Sequence, residues 1–285
     1  LEDAPFSIQV PVDTFADPDA GDTLTYSATQ AEGSALPAWL SFNATTRAFA
    51  GTLDDAQVGT LNLTVKATDS SGLSATGTFA LTVQNVNEAP VANPLTDQTV
   101  QEDTSFSIIV PANTFVDPDT GDTHTYSATQ ADGSALPTWL GFNATTRTFT
   151  GTPDDGQVGM LNLAVKATDS GGLNATSTFA LTVQNVNETP IVANPLLDQS
   201  TQVGQAFSFA IPTTTFTDPD ASDTLTYSAT LANGNPLPAW LTFNTTTRTF
   251  SGTPGSVDAG LVSLKVMVRD AGSLTVADVF DLTVN

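Results

Sequence analysis

Cysteine is absent from the 285 residues, histidine occurs once, and lysine and arginine together number 7. With one histidine and no cysteine, a His/Cys zinc site cannot be assembled, and no Ser-His-Asp triad or phosphate-binding loop is recognisable in the sequence. Lack of cysteine does not prevent folding, because a unit of ~100 residues buries an adequate core without disulfides. It leaves both sides of a membrane open as a location. No run of 18 apolar residues occurs, so the segment has no membrane span. No basic-then-apolar leader opens it either, so a secretion signal would have to lie outside these residues. Basic residues are too few for a nucleic-acid surface: 30 acidic side chains give a net charge of -23, which phosphates would repel. Charge of this size accompanies disorder in chains of low hydrophobicity, but 40% of these residues are hydrophobic and β patterning is steady throughout.

What the chain has is repetition. Asp17-Pro18-Asp19-Ala20-Gly21-Asp22 returns as Asp117-Pro118-Asp119-Thr120-Gly121-Asp122 and as Asp218-Pro219-Asp220-Ala221-Ser222-Asp223. Trp39, Trp139 and Trp240 recur at the same spacing. Solenoid repeats run about 20–50 residues, so a period of about a hundred means whole domains in tandem. Repeats one and two are roughly three-quarters identical between Phe6/Phe106 and Pro90/Pro190, and the third has drifted further.

Each unit reads as short strands of period-2 alternation, such as Leu61-Asn62-Leu63-Thr64-Val65-Lys66-Ala67, broken by turn signals. Around seven strands in ~100 residues is the pattern of a two-sheet Greek-key sandwich. The expected fold is therefore all-β, three tandem Greek-key β-sandwiches arranged end to end as a rod. The expected units are 1–88, 89–188 and 189–285, with Ala89-Pro90 and Thr189-Pro190 as stiff, short joins. Leu1-Glu2-Asp3 aligns with Gln101-Glu102-Asp103, so nothing in repeat one corresponds to Val91–Val100. The expectation is a fragment or processing product, or a first strand donated by another subunit.

An acidic surface can serve solubility alone, but most of these acids recur at the same few positions. Around the first join stand Glu2, Asp54-Asp55 and Asn85-Val86-Asn87-Glu88, then Asp117-Pro118-Asp119 and Asp169. Stacked sandwiches bring such loops to one boundary, where crowded carboxylates repel. Many hard oxygen ligands fit Ca²⁺ better than other common ions.

These segments resemble the cadherin family. Phe15-Ala16-Asp17-Pro18-Asp19 is similar to its D-x-D segment, Asn85 to Pro90 to its D-x-N-D-N-A-P linker, Ala67-Thr68-Asp69 to its A-x-D, and Asp54 to its L-D-R-E. The run Leu36-Pro37-Ala38-Trp39-Leu40 through Thr52 is similar to dystroglycan-type cadherin-like repeats of large bacterial surface proteins. The resemblance implies Ca²⁺ between consecutive units. For the first junction it implies Glu2, Asp54, Asn85, Asn87 and Glu88 with Asp117, Asp119 and Asp169 as ligands. For the second it implies Glu102, Asp154, Asn185, Asn187 and Glu188 with Asp218, Asp220 and Asp270. Asp122 and Asp223 stand where the family often uses a backbone carbonyl. Asn85 and Glu88 replace family aspartates, and the Glu of L-D-R-E is replaced by Ala56 or Gly156, with Asp55 or Asp155 one place earlier. One to three Ca²⁺ per junction follow, of millimolar to sub-millimolar affinity as in extracellular modules. Repeat three has Gln202-Val203-Gly204 and Pro254-Gly255-Ser256 at the corresponding places, so its far end is poorly equipped for calcium.

Of the remaining features, His124 reads as a strand side chain, and Arg47, Arg147 and Arg248 read as turn-fixing residues. The Asn-x-Thr sites at Asn43, Asn143, Asn174 and Asn244 read as Thr-rich turns. Paired carboxylates also serve glycoside hydrolysis, but three identical catalytic sites in tandem would be unusual, and the chain reads as no enzyme. Every aromatic maps onto a repeated apolar place, which favours core packing over sugar stacking. The reading is a calcium-stiffened array at the cell surface or outside the cell, structural or adhesive. Its partners are neighbouring repeats and like molecules or surface polysaccharide. The alternatives are a self-assembling fibre subunit using donor-strand exchange, and a carbohydrate-binding module of a secreted enzyme. An exposed Trp or Tyr would favour the last.

Overall fold

The computed structural model describes residues 1–19, 21–221 and 223–285. Repeat two shows the layout in full. Its larger sheet runs in the order Thr125–Gln130, Gly159–Thr168, Asn174–Gln184 and Gln98–Gln101, the last parallel to its neighbour. The smaller runs Leu140–Asn143, Thr148–Gly151, Phe106–Ile109, and a short pair joins Val91–Ala92 to Phe115–Val116. The chain crosses between the two sheets, giving a Greek-key sandwich. Repeat three repeats every pairing. In repeat one the sheets are Thr25–Gln30, Gly59–Thr68, Ser74–Val83 and Pro5–Gln9, Ala48–Thr52, Leu40–Asn43.

Alternation explains the sandwich. Successive side chains of a strand point to opposite faces, so Leu163, Val165 and Ala167 turn inward and are buried, and on the neighbouring strand Phe179, which pairs with Leu163, is buried together with Leu181 and Val183. Phe149 of the facing sheet enters this layer fully buried, with ring centroids 4.7 Å from Phe142 and 5.6 Å from Phe179. Phe49 and Phe250 take the same place in the other units. Every Trp, Tyr and Phe is buried or half-buried, so the exposed aromatic that would favour sugar stacking does not occur.

The turns follow the same logic. Arg47, Arg147 and Arg248 adopt positive φ of 57°, 56° and 56°, a left-handed conformation that side chains other than glycine rarely take. Each guanidinium lies 5.5 Å over the ring of Tyr26, Tyr126 or Tyr227, a cation–π contact that offsets the backbone cost. Asn43, Asn143 and Asn244 each accept two backbone N–H bonds in the adjoining turn. His124 stands one residue before its strand, not within it.

The three cores are separate clusters. Phe149→Ala is therefore expected to destabilise repeat two by about 3–5 kcal/mol and to leave the other units unchanged, which calorimetry would resolve as one displaced transition.

Candidate metal centres at the repeat junctions

Three pieces of a leading repeat meet at its end. In repeat one these are the residues before the first strand, a one-turn 3-10 helix at Asp55–Gln57, and the linker after Ser74–Val83. Backbone bonds lock them together: Glu2 N–H donates to Gln84 O at 3.3 Å and Asp3 N–H to Leu53 O at 3.1 Å. Asp3 takes positive φ to make this bend, as does Asp103 in repeat two. The following repeat contributes the Asp117–Asp122 loop and the Asp169 turn.

Glu2 is 2% exposed and Asp119 is 6% exposed, and each has an assigned partner in the linker. Glu2 Oε1 accepts the N–H of Val86 at 2.6 Å. Asp119 Oδ2 accepts the N–H of Glu88 at 2.9 Å, and its Oδ1 accepts from the Asn85 amide at 2.6 Å. Asn87 donates to Asp169 Oδ2 at 3.0 Å and to Glu88 O at 3.3 Å. Carboxylate oxygens of Glu2, Asp55, Glu88 and Asp119 all lie within 4.8 Å of one another. A second group joins Asp117, Asp119 and Asp122, so Asp119 belongs to both.

The second junction repeats the arrangement. Glu102, fully buried, accepts from Val186 N–H at 2.7 Å. Asp220 accepts from Asn185 at 2.6 Å and from Glu188 N–H at 2.9 Å, and Asn187 donates to Asp270 at 3.0 Å. Its groups are Glu102, Asp155 and Glu188, and then Asp218, Asp223 and Asp270.

The residues divide into three roles. Asp54 and Asp154 cap the 3-10 turns through the N–H groups of Ala56 and Gly156 and stand outside these groups, which take Asp55 and Asp155 instead. Asn85, Asn87, Asn185 and Asn187 donate amide protons to the aspartates and so hold them in position. The remaining acids converge. Among the described residues, Glu2 Oε2, Asp55 Oδ1, Glu88 Oε2 and Asp122 Oδ2 are buried without a hydrogen-bond partner. Glu102 Oε2, Asp155 Oδ1, Glu188 Oε2 and Asp218 Oδ2 are in the same condition at the second junction. Buried polar atoms are ordinarily satisfied, so these oxygens fit a bound cation, and an all-oxygen donor set suits a hard one.

Crowding appears in the acidities. Burial pushes the Glu88 carboxyl up to about 7, and a hydrogen bond shared with Asp3 and the charges of Asp119, Asp3 and Asp55 add to it. Burial, then the charges of Asp220, Glu102, Asp155 and Asp103, raises Glu188 to about 7. Burial also raises Asp218. Asp119 is held below the usual range, chiefly by the N–H of Glu88 and further by Asn85.

Several contributors carried no signal in the sequence. His124 Nε2 lies 2.9 Å from Asp117 Oδ2, at a place where the other repeats have Leu24 and Leu225. Ser170 donates to Asp122 at 2.6 Å. Gly171 and Gly272 lie so close to Asn87 and Asn187 that an added Cβ would overlap the amide. Ser71 stands at the same place in repeat one, away from either linker. Repeat one also groups Asp17, Asp19 and Asp22, but Asp19 there is exposed.

A tandem array of Greek-key sandwiches with acidic junctions is the class of protein that this geometry defines. The chain belongs to the family described as "Putative Ig domain", which it matches three times, over residues 1–84, 89–184 and 189–285. It is 30% identical over 144 residues to the "Serine-rich adhesin for platelets" of Staphylococcus aureus strain USA300, covering 50% of this chain and 6% of that protein. For strain MSSA476 the figures are 29% over 173 residues, 61% and 7%. The chain thus spans a small fraction of these relatives. Among solved structures, mouse cadherin-23 EC22-24 is similar with a TM-score of 0.62 and 21% identity, over 94% of this chain and 89% of that one. The protocadherin gammaB4 extracellular domain gives 0.56 and 21%, over 91% and 45%. Both solved structures share the tandem-sandwich fold with this chain, and no helix among the described residues is long and apolar enough to cross a membrane.

Two outcomes follow from the geometry. Gly171→Ala is expected to displace Asn87 and to speed hydrogen exchange at Val86 and Glu88, while Val186 and Glu188 stay unchanged. The second concerns pH. Glu88 and Glu188 titrate near 7 in the folded chain against an ordinary 4.5, so the folded state keeps protons that the unfolded chain releases. Without divalent cations, stability is therefore expected to fall as pH rises from about 4.5 to about 7, read as a lower melting temperature in chelator at pH 8 than at pH 5.

Proposed function

We propose that the chain is a calcium-stiffened spacer within a surface or secreted adhesive protein, with units 1–88, 89–188 and 189–285. The observation that carries this reading is the set of buried, partnerless carboxylate oxygens converging at both junctions. Ca²⁺ takes six to eight oxygens in flexible geometry. Glu2, Asp55, Glu88, Asp117, Asp119, Asp122 and Asp169 would hold one to three ions at the first junction. Glu102, Asp155, Glu188, Asp218, Asp220, Asp223 and Asp270 would do the same at the second. The ion supplies positive charge shared between two units, and its removal restores repulsion across the linker.

The chain's own residues prepare that state. Asn85 and Asn185 fix the aspartates that bridge to the following unit, and the linker N–H groups of Val86 and Glu88 tie Glu2 and Asp119 to one strand of backbone. The adhesive part of the reading rests on the relative whose name is an adhesin for platelets. Like molecules and surface polysaccharide remain the partners to be tried. No exposed aromatic favours the sugar-binding alternative.

Calorimetric titration with Ca²⁺ is expected to give binding in the ~10⁻⁴–10⁻³ M range of extracellular modules. Asp119→Ala should abolish the part due to the first junction and keep the second, and Asp220→Ala the reverse. Absence of binding heat in the unaltered chain, or equal loss at both junctions in either variant, would contradict the reading.

A further inference from the structure

We infer that His124 makes the two junctions unequal. It holds the Asp117 loop in place without an ion, and it lowers the calcium affinity of the first junction below that of the second. The affinity half rests on the calcium reading above; the loop half stands without it. The two loops differ at one contact. Asp117 Oδ1 and Asp218 Oδ1 each accept the N–H two residues on, from Asp119 or Asp220, at 3.1 Å. Asp117 Oδ2 lies 2.9 Å from His124 Nε2, whereas Asp218 Oδ2 is buried with no partner among the described residues. Leu225 stands at the place of His124 in repeat three and packs against the core.

The contact is enclosed. The side chains of His124 and Asp117 are 10% and 5% exposed. An ionised carboxylate offers acceptors alone, so the imidazole nitrogen that faces it carries the proton and donates. Tyr126 sets the imidazole in place: the two rings meet edge to face with centroids 6.1 Å apart. Tyr126 in turn carries Arg147 at 5.5 Å. Tyr227 carries Arg248 in the same way, so repeat three has the support for such a histidine, with Leu225 where the imidazole would stand.

A buried carboxylate oxygen without a partner bears the full cost of leaving water. The Asp218 loop therefore gains by turning away or by binding a cation, while the Asp117 loop is already satisfied. A hydrogen bond to an ionised acceptor is also stronger than one to a neutral acceptor. The His124 bond consequently weakens once a cation shares the charge of Asp117. It stabilises the ion-free state more than the bound state, and the first junction binds calcium less tightly. His124 is thus a positioning residue that acts through Asp117.

The test uses the full chain at about pH 8, with NMR of backbone amides resolving each junction. Asp119 and Asp220 both follow an Asp-Pro pair, so their intrinsic exchange rates match. In chelator, the Asp119 amide is expected to exchange about ten-fold slower than that of Asp220. His124→Leu should remove this protection, and His124→Gln, which keeps a donor, should retain part of it. On titration with Ca²⁺, Val86 and Glu88 should report an affinity about three- to ten-fold weaker than Val186 and Glu188. His124→Leu should bring the two affinities together, and Leu225→His should weaken the second junction alone. Equal Asp119 exchange with and without the imidazole, or unchanged affinity in His124→Leu, would overturn the inference. Absence of calcium binding at both junctions would overturn the affinity half together with the calcium reading, and the chelator comparison would still decide whether His124 holds the loop.

Discussion

The junctions depend on one constraint: carboxylates placed out of water need a compensating charge. An ionised carboxylate without partners is costly in a poorly solvated place, and it either takes up a proton or binds a cation. Glu2 and Glu102 show both sides of this. One oxygen of each is bound to the linker backbone, and the other has no partner. Glu88 and Glu188 show the proton's answer, with acidities near 7. The course of the linker, the bend at Asp3 and Asp103, and the closeness of Gly171 and Gly272 to the linker asparagines all serve this one arrangement.

Repetition makes the arrangement modular. Each sandwich has the same strand register, so the loops of its leading end and the bends of its trailing end come to fixed places. A junction is complete only when both neighbours carry their half. Repeat three keeps the fold at its trailing end but replaces the carboxylates: Gly204 makes the positive-φ bend in place of Asp103, and Gly255 stands in the cap position of Asp154. Geometry and charge are therefore separable features of one scaffold.

Much of this was legible in the sequence. The inward places of Leu163, Val165 and Ala167 follow from alternation, and the number of units from the recurring Trp and Asp-Pro-Asp. The gathering of acids at the joins follows from their recurrence and order. The sequence could not tell which of two adjacent acids turns inward. Asp54 and Asp55 differ because one oxygen of the first is committed to capping a 3-10 turn, a distinction visible only in backbone geometry. Nor does composition reveal that Asn85 and Asn87 donate to aspartates, or that Gly171 is small because an amide lies against it. His124 beside Asp117 breaks the repeat pattern, so recurrence could not find it.

Small-angle X-ray scattering of the chain, first with calcium and then with excess chelator, tests the central claim most directly. The account predicts a stiff, elongated particle that becomes flexible when calcium is withdrawn. A particle equally stiff in both conditions would contradict it, since the junction carboxylates would then hold their geometry without a shared ion.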